Sequence, residues 1–245
     1  MSLLERFARQ IIIHGFGEAG QRRLRESSVI IVGCGALGNN MAGLLARAGV
    51  GRIAVCDHDV VELSNLPRQT LFFEGDIGEN KAALTAERLK MIDEDIDVRA
   101  FSERFDVSTA DAMADGVQVI LDATDNITSR YFINEFAVTQ RIPWIFSGVA
   151  ATGGLVMPVV AGGPCFECVY PRGASPALVL NTSEYGVLNT APAFAATIAS
   201  TLAMKLLVGA TVEPVLLSFD LWEQVFETFE VERDPNCPTC GGLSG

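Results

Sequence analysis

Between Asp57 and Gln69 the chain reads Asp-His-Asp-Val-Val-Glu-Leu-Ser-Asn-Leu-Pro-Arg-Gln: carboxylates first, then an amide, a guanidinium and a second amide. A glycine turn, Gly33-Cys-Gly35-Ala-Leu-Gly38, precedes it at the interval where a dinucleotide-binding fold puts its ribose-holding acid. Gly33 and Gly35 let the backbone approach phosphate, and Gly38 lets a helix pack closely on its strand. Asp57 suits both ribose hydroxyls, while Asp59 faces Mg²⁺ or solvent. Asn65, Arg68 and Gln69 follow in the same polar loop, and Lys81 comes a turn later. A triphosphate carries about four negative charges, which two cations and one metal ion offset. No Gly-x-x-x-x-Gly-Lys-Ser/Thr is present, so this is not a P-loop. The chemistry these groups suit is nucleotide activation rather than hydride transfer.

Asp125 follows a second apolar run, Val117 to Leu121, at the strand end where α/β crevices form. A hard oxygen ligand there suits Mg²⁺, with Asp122 as the alternative ligand and helix capping as the alternative role for Asp125. Cys165/Cys168 and Cys237/Cys240 form two Cys-x-x-Cys pairs with the spacing of a closed, structural Cys₄ zinc site. Cys34 and Cys56 stand alone in apolar runs and read as buried thiols. His14 and His58 have no ligand spacing and read as bystanders. The run Asp93, Glu94, Asp95, Asp97 reads as a solvated helix end.

Positioning these groups requires alternating strands and helices. Ser28–Val32 and Arg52–Cys56 read as strands around a helix over Asn39–Ala48. Helices are expected at Gly78–Met91 and Ile127–Gln140, strands at Val98–Phe101 and Trp144–Val149. Beyond these come a strand at Thr152–Val160, a helix at Ala191–Val208 and a hairpin of Val215–Asp220 with Gln224–Val231. The order predicts an α/β fold: a Rossmann-like, mostly parallel sheet extended by antiparallel strands, carrying the Cys₄ zinc site. Residues 1–245 read as one domain without linker or repeat, with a crossover loop at about 171–190.

A formal charge of −12 excludes a nucleic-acid partner, which demands a basic surface. The N-terminus lacks the apolar core of a signal peptide. Gly186–Met204 is uncharged but holds Asn189, Thr190 and Pro192, and reads as a core helix rather than a membrane span. The expected compartment is the cytoplasm, without membrane contact.

Taken together, these motifs resemble the E1-like activating enzymes of the MoeB/ThiF/HesA family. The resemblance runs through Arg6-Phe-Ala-Arg9-Gln-Ile11, the glycine turn, Asp57-His-Asp59-Val and Ser64-Asn65-Leu-Pro-Arg68-Gln69. It continues in Gly78-Glu-Asn-Lys81-Ala82, Asp122-Ala-Thr-Asp125-Asn126 and both cysteine pairs. It implies ATP and Mg²⁺ as cofactors and adenylation of the C-terminal glycine of a small ubiquitin-like sulfur-carrier protein. By the same resemblance Asp57 holds ribose, Asn65, Arg68 and Lys81 hold phosphates, and Asp125 holds Mg²⁺. Arg9 reaches the partner's site in a homodimer.

Two departures stand out against that family. Its ThiF-like members carry a covalent sulfur intermediate on a cysteine in or beyond the crossover, whereas Pro171 to Pro192 has none and reads Asn181-Thr-Ser183. Tyr185 to Pro192 departs from the family's usual pattern by a small insertion. Adenylation of a peptide or small-molecule carboxylate is the near alternative. An NAD-dependent oxidoreductase and a non-catalytic E1-like scaffold are the remote ones. Arg68, Lys81 and the cysteines count against the former, and the intact set Arg9, Asp57, Arg68, Lys81 and Asp125 against the latter.

Overall fold

The computed structural model describes residues 3–173 and 185–242. Its frame is an eight-stranded sheet in the order β3-β2-β1-β4-β5-β6-β7-β8. Strands β1 (Ser28–Val32), β2 (Arg52–Cys56), β3 (Asp97–Phe101), β4 (Val119–Asp122) and β5 (Trp144–Ala150) pair in parallel. β6 (Gly153–Val159), β7 (Val215–Asp220) and β8 (Val225–Glu230) extend the sheet by antiparallel pairing. β1, β4 and β5 are buried at every position, as central strands covered on both faces must be.

Alternation along β1 divides the core. Val29 and Ile31 join one cluster with Met41, Leu45 and the alanines Ala195, Ala199 and Ala203. Ile30 and Val32 join the other, with Ile133, Trp144, Phe146 and Phe166. The first layer contains α3 (Gly17–Glu26), α4 (Ala36–Ala48), α5 (Lys81–Ile92) and α9 (Thr190–Val208). The second contains α6 (Ala110–Met113), α7 (Ile127–Gln140) and α8 (Phe166–Val169). Two short helices, α1 (Leu3–Arg6) and α2 (Ala8–Ile11), lead into α3. α9 is long and apolar enough to cross a membrane, yet its alanine stripe packs on α4, β5 and β6.

The strands agree with the sequence reading to within two residues, and α4 begins three residues early, directly after Gly35. α3, α6 and α8 were not expected; α6 and α8 are single turns, too short to show a period. The acidic run is not a solvated helix end throughout: Asp93 is 5% exposed and pairs with Arg25 at 2.8 Å. Of the crossover loop, residues 174–184, which include Asn181 to Ser183, lie outside the described residues, as does the tail 243–245.

Candidate functional site

The chain leaves β1 through α4 toward β2, whereas β4 lies on the other side of β1. Between the ends of β1 and β4 this reversal opens a crevice, here a cleft of about 750 Å³. Gly33, Gly35, Asp57, Asp59, Asn65, Arg68, Gln69, Lys81 and Asp125 all line it. The glycines are required by close approach. A Cβ on Gly33 (φ 99°) would lie 2.8 Å from Ala123 O, and one on Gly38 would lie 1.8 Å from Gly33 O. Gly35 differs: a Cβ there meets nothing within 4 Å, so the space is free on the cleft side. Gly35 caps α4 with no side-chain bond, leaving the first-turn N–H groups of that helix to face the cleft.

Asp57 ends β2 and is held by two backbone donors: the N–H of Cys34 at 2.7 Å and that of Asp59 at 2.8 Å. The ribose-side carboxylate is thereby tied to the glycine turn, with lone pairs to spare. Asn80, a residue without a role in the sequence reading, ties the start of α5 to the end of β2. Its Oδ1 caps α5 through the N–H of Ala83 at 3.0 Å, and its Nδ2 donates to the carbonyls of Asp57 and Asp59, each at 3.2 Å. Lys81 is 7% exposed and its Nζ lies 3.3 Å from Asp59 Oδ2. Asn65 closes a capping box on the 3₁₀ turn Leu63–Asn65, accepting from the N–H of Glu62 at 3.2 Å. Arg68 Nη1 donates to Ser64 O at 2.7 Å. Gln69 is 2% exposed, and its Oε1 has no hydrogen-bond partner among the described residues.

His58 is no bystander in position, since it lines the cleft between Asp59 at 3.3 Å and Arg104 at 3.0 Å. His14 does not line the cleft. On the opposite wall, Asp122 is fully buried and committed. Its Oδ1 accepts from the N–H and hydroxyl of Thr124 at 2.9 and 2.6 Å, and its Oδ2 faces Arg130 Nε at 3.3 Å. Burial pushes the Asp122 carboxyl up, against the opposing pull of Arg130. The cap of α7 is Asn126, accepting from the N–H of Ser129 at 2.8 Å. Asp125 is therefore the exposed carboxylate of this wall, neither buried like Asp122 nor engaged as a cap.

Arg9 stands apart from the set. It is exposed on α2, and its neighbour Gln10 donates to Ala48 O at 2.9 Å, at the end of α4 away from the cleft. A 13-residue helix spans about 20 Å, so Arg9 and the cleft of the same chain lie at opposite ends of α4.

The four cysteines converge. Their Sγ atoms lie 3.9 Å apart for Cys165–Cys168, 3.6 Å for Cys165–Cys237 and 3.5 Å for Cys168–Cys240. Zn–S bonds of about 2.3 Å in a tetrahedron put sulfurs about 3.8 Å apart, whereas a disulfide needs about 2.05 Å. The donor set fits zinc. Asn134 supports it from α7, donating to Cys165 Sγ at 3.5 Å and accepting the N–H of Phe166 at 3.0 Å. Cys34 and Cys56 are buried, as expected, and burial pushes both thiols up, Cys56 to about 12.

Fold and site together define a nucleotide-binding α/β protein with a Cys₄ cluster. The ThiF family model matches residues 7–239, and the chain belongs to that family. It is 36% identical over 240 residues to the SAMP-activating enzyme E1 of Haloferax volcanii, covering 97% of this chain and 89% of that protein. It is 35% identical to the sulfur carrier protein adenylyltransferase of Thermus thermophilus, covering 97% and 91%. Among solved structures, Escherichia coli MccB with AMPCPP and MccA shares the fold at a TM-score of 0.86 and 22% identity, over 99% of this chain and 75% of that one.

Proposed function

We propose that the chain is a cytoplasmic, ATP-dependent adenylyltransferase. Its substrate would be the C-terminal glycine carboxylate of a small ubiquitin-like sulfur carrier, in molybdopterin, thiamine or related sulfur-transfer biosynthesis. The observation that carries this reading is the gathering of Asp57, Asn65, Arg68, Lys81 and Asp125 around one cleft at the glycine turn. Relatives named for sulfur-carrier adenylation and SAMP activation, alike over nearly the whole chain, support it.

In this reading a carboxylate oxygen attacks the α-phosphorus of ATP, and the bond to pyrophosphate breaks. No side chain forms a covalent bond; the rate comes from positioning and from neutralising charge. The first turn of α4 takes phosphate, Asp57 holds ribose, and Asn65, Arg68 and Lys81 hold the polyphosphate, with Gln69 behind them. Lys81 exchanges Asp59 for phosphate, since its flexible stem can turn within the cleft. Asp125 would hold Mg²⁺, which supplies positive charge to the leaving pyrophosphate. Cys165, Cys168, Cys237 and Cys240 would hold a structural zinc ion. Arg9, remote from its own cleft, serves the cleft of a two-fold partner.

The test is ATP–pyrophosphate exchange with Mg²⁺ against a panel of small carrier proteins ending in Gly-Gly. Exchange dependent on one carrier is the expected result. Tight NADH binding with no ATP binding would instead make the chain an oxidoreductase.

A further inference from the structure

The cleft wall that carries Val149 and Val187 continues outward into an exposed apolar shelf. Ala151 bridges Val187, and Leu188 donates its N–H to Ala151 O at 2.7 Å. The Thr152 hydroxyl donates to Asp220 at 2.9 Å, and Leu221 donates its N–H to Thr152 O at 3.0 Å. These bonds set the β7–β8 turn beside the 185–188 segment, at the cleft end of the sheet. Asp220 also accepts the N–H groups of Trp222 and Glu223, at 2.9 and 3.1 Å, so the turn is held from inside. On this fixed base Trp222 is 70% exposed, Tyr185 61% and Leu188 37%.

The charges around the shelf have one sign. From Asp220 to Glu232 the chain carries Glu223, Glu227 and Glu230 and no lysine or arginine. A two-fold contact of this surface with itself would set glutamate against glutamate, which costs binding energy. A partner with an apolar patch inside a basic rim meets both the rings and the carboxylates.

We propose that this shelf docks the folded body of the carrier whose tail enters the cleft, through an apolar patch rimmed by lysine and arginine. The inference rests on the adenylation reading. An extended tail covers only about 3.3 Å per residue, so a short tail keeps its body at the cleft rim, where the shelf lies. An exposed tryptophan on a rigid turn is the kind of residue that dominates such contacts.

The experiment measures exchange with the carrier that wild-type protein activates, and with a synthetic peptide of that carrier's last eight residues. Trp222→Ala should raise the carrier KM about tenfold, as loss of a contact residue worth ~1.4 kcal/mol would. It should leave the ATP KM and the peptide reaction unchanged. Glu227→Lys, an exposed substitution that spares the fold, should weaken the carrier and flatten its salt dependence. Carrier KM values within twofold of wild type for both variants, with exchange intact, would overturn the docking surface alone. Loss of a dimer on Trp222→Ala in sedimentation, with carrier KM unchanged, would assign the shelf to a second copy. No exchange with any carrier or peptide would remove the adenylation reading and this one with it.

Discussion

Asp122 Oδ2 and Arg130 Nε face each other at 3.3 Å, with 0% and 3% of their side chains exposed. The pair joins the end of β4 to the second turn of α7 and sets the loop between them, from which Asp125 projects. Arg130 also donates to Thr124 O at 2.8 Å and lies 5.2 Å from the centre of the Phe146 ring. Asp122 and Asp125, equivalent as acids in the sequence, thus receive different work.

Removing one partner of that pair strands a buried charge. Arg130→Met should lower the stability measured by urea unfolding by about 3–5 kcal/mol. Asp125→Asn, at an exposed position, should change it by less than about 0.5 kcal/mol while sharply reducing Mg²⁺-dependent exchange. Equal stability loss in the two variants would contradict this division.

Lys81→Ala should cost less than about 1 kcal/mol of stability, because its partner Asp59 is 55% exposed. Exchange should fall roughly 10²–10³-fold, the loss typical of a group that stabilises transition-state charge. Full activity in the variant would remove Lys81 from the phosphate site.

Freshly purified protein should contain one zinc ion per chain by elemental analysis. Cys237→Ser should lose the metal and lower Tm by on the order of 10 °C, since the cluster joins the 165–168 turn to the C-terminal segment. A metal-free protein with unchanged Tm would show that the cysteines serve another purpose.

Cys34 and Cys56 should resist iodoacetamide at pH 8 in the folded protein, because burial raises both thiols. Their folded pKa values exceed the ordinary 9.0, Cys56 reaching about 12, so the unfolded chain ionises first as pH rises. Stability from these thiols is complete below pH 9 and declines toward pH 12. No reductant-sensitive enzyme–carrier adduct should form. A gel-resolved adduct lost on mutating either cysteine would contradict this.

Arg9→Ala and Lys81→Ala dimers should each be nearly inactive. A mixed dimer holds one cleft lacking both residues and one retaining both, so mixing should restore activity once subunits exchange. Mixed dimers confirmed by mass spectrometry but no more active than their parents would show that Arg9 does not act in trans.

Local chemistry made much of this protein legible from its residues. Ser28–Val32, Arg52–Cys56 and Ile127–Gln140 match their elements end to end, because buried apolar runs and a helix with an asparagine cap are written in neighbouring residues. The glycine turn, Asp57, the loop from Asn65 to Gln69, and Lys81 carried their own spacing, and they meet in the cleft. Non-local contact decided the rest. Only the packing of α7 against β4 and β5 distinguishes Asp122 from Asp125 and makes Arg130 a buried cation. Asn80 and Asn134 look like surface amides until the strand ends and the cysteine turn come within hydrogen-bond reach. Arg9 sits beside the motif residues in a sequence reading but at the far end of α4 in space. Burial and partnership belong to the folded chain, since desolvation depends on which distant residues exclude the water.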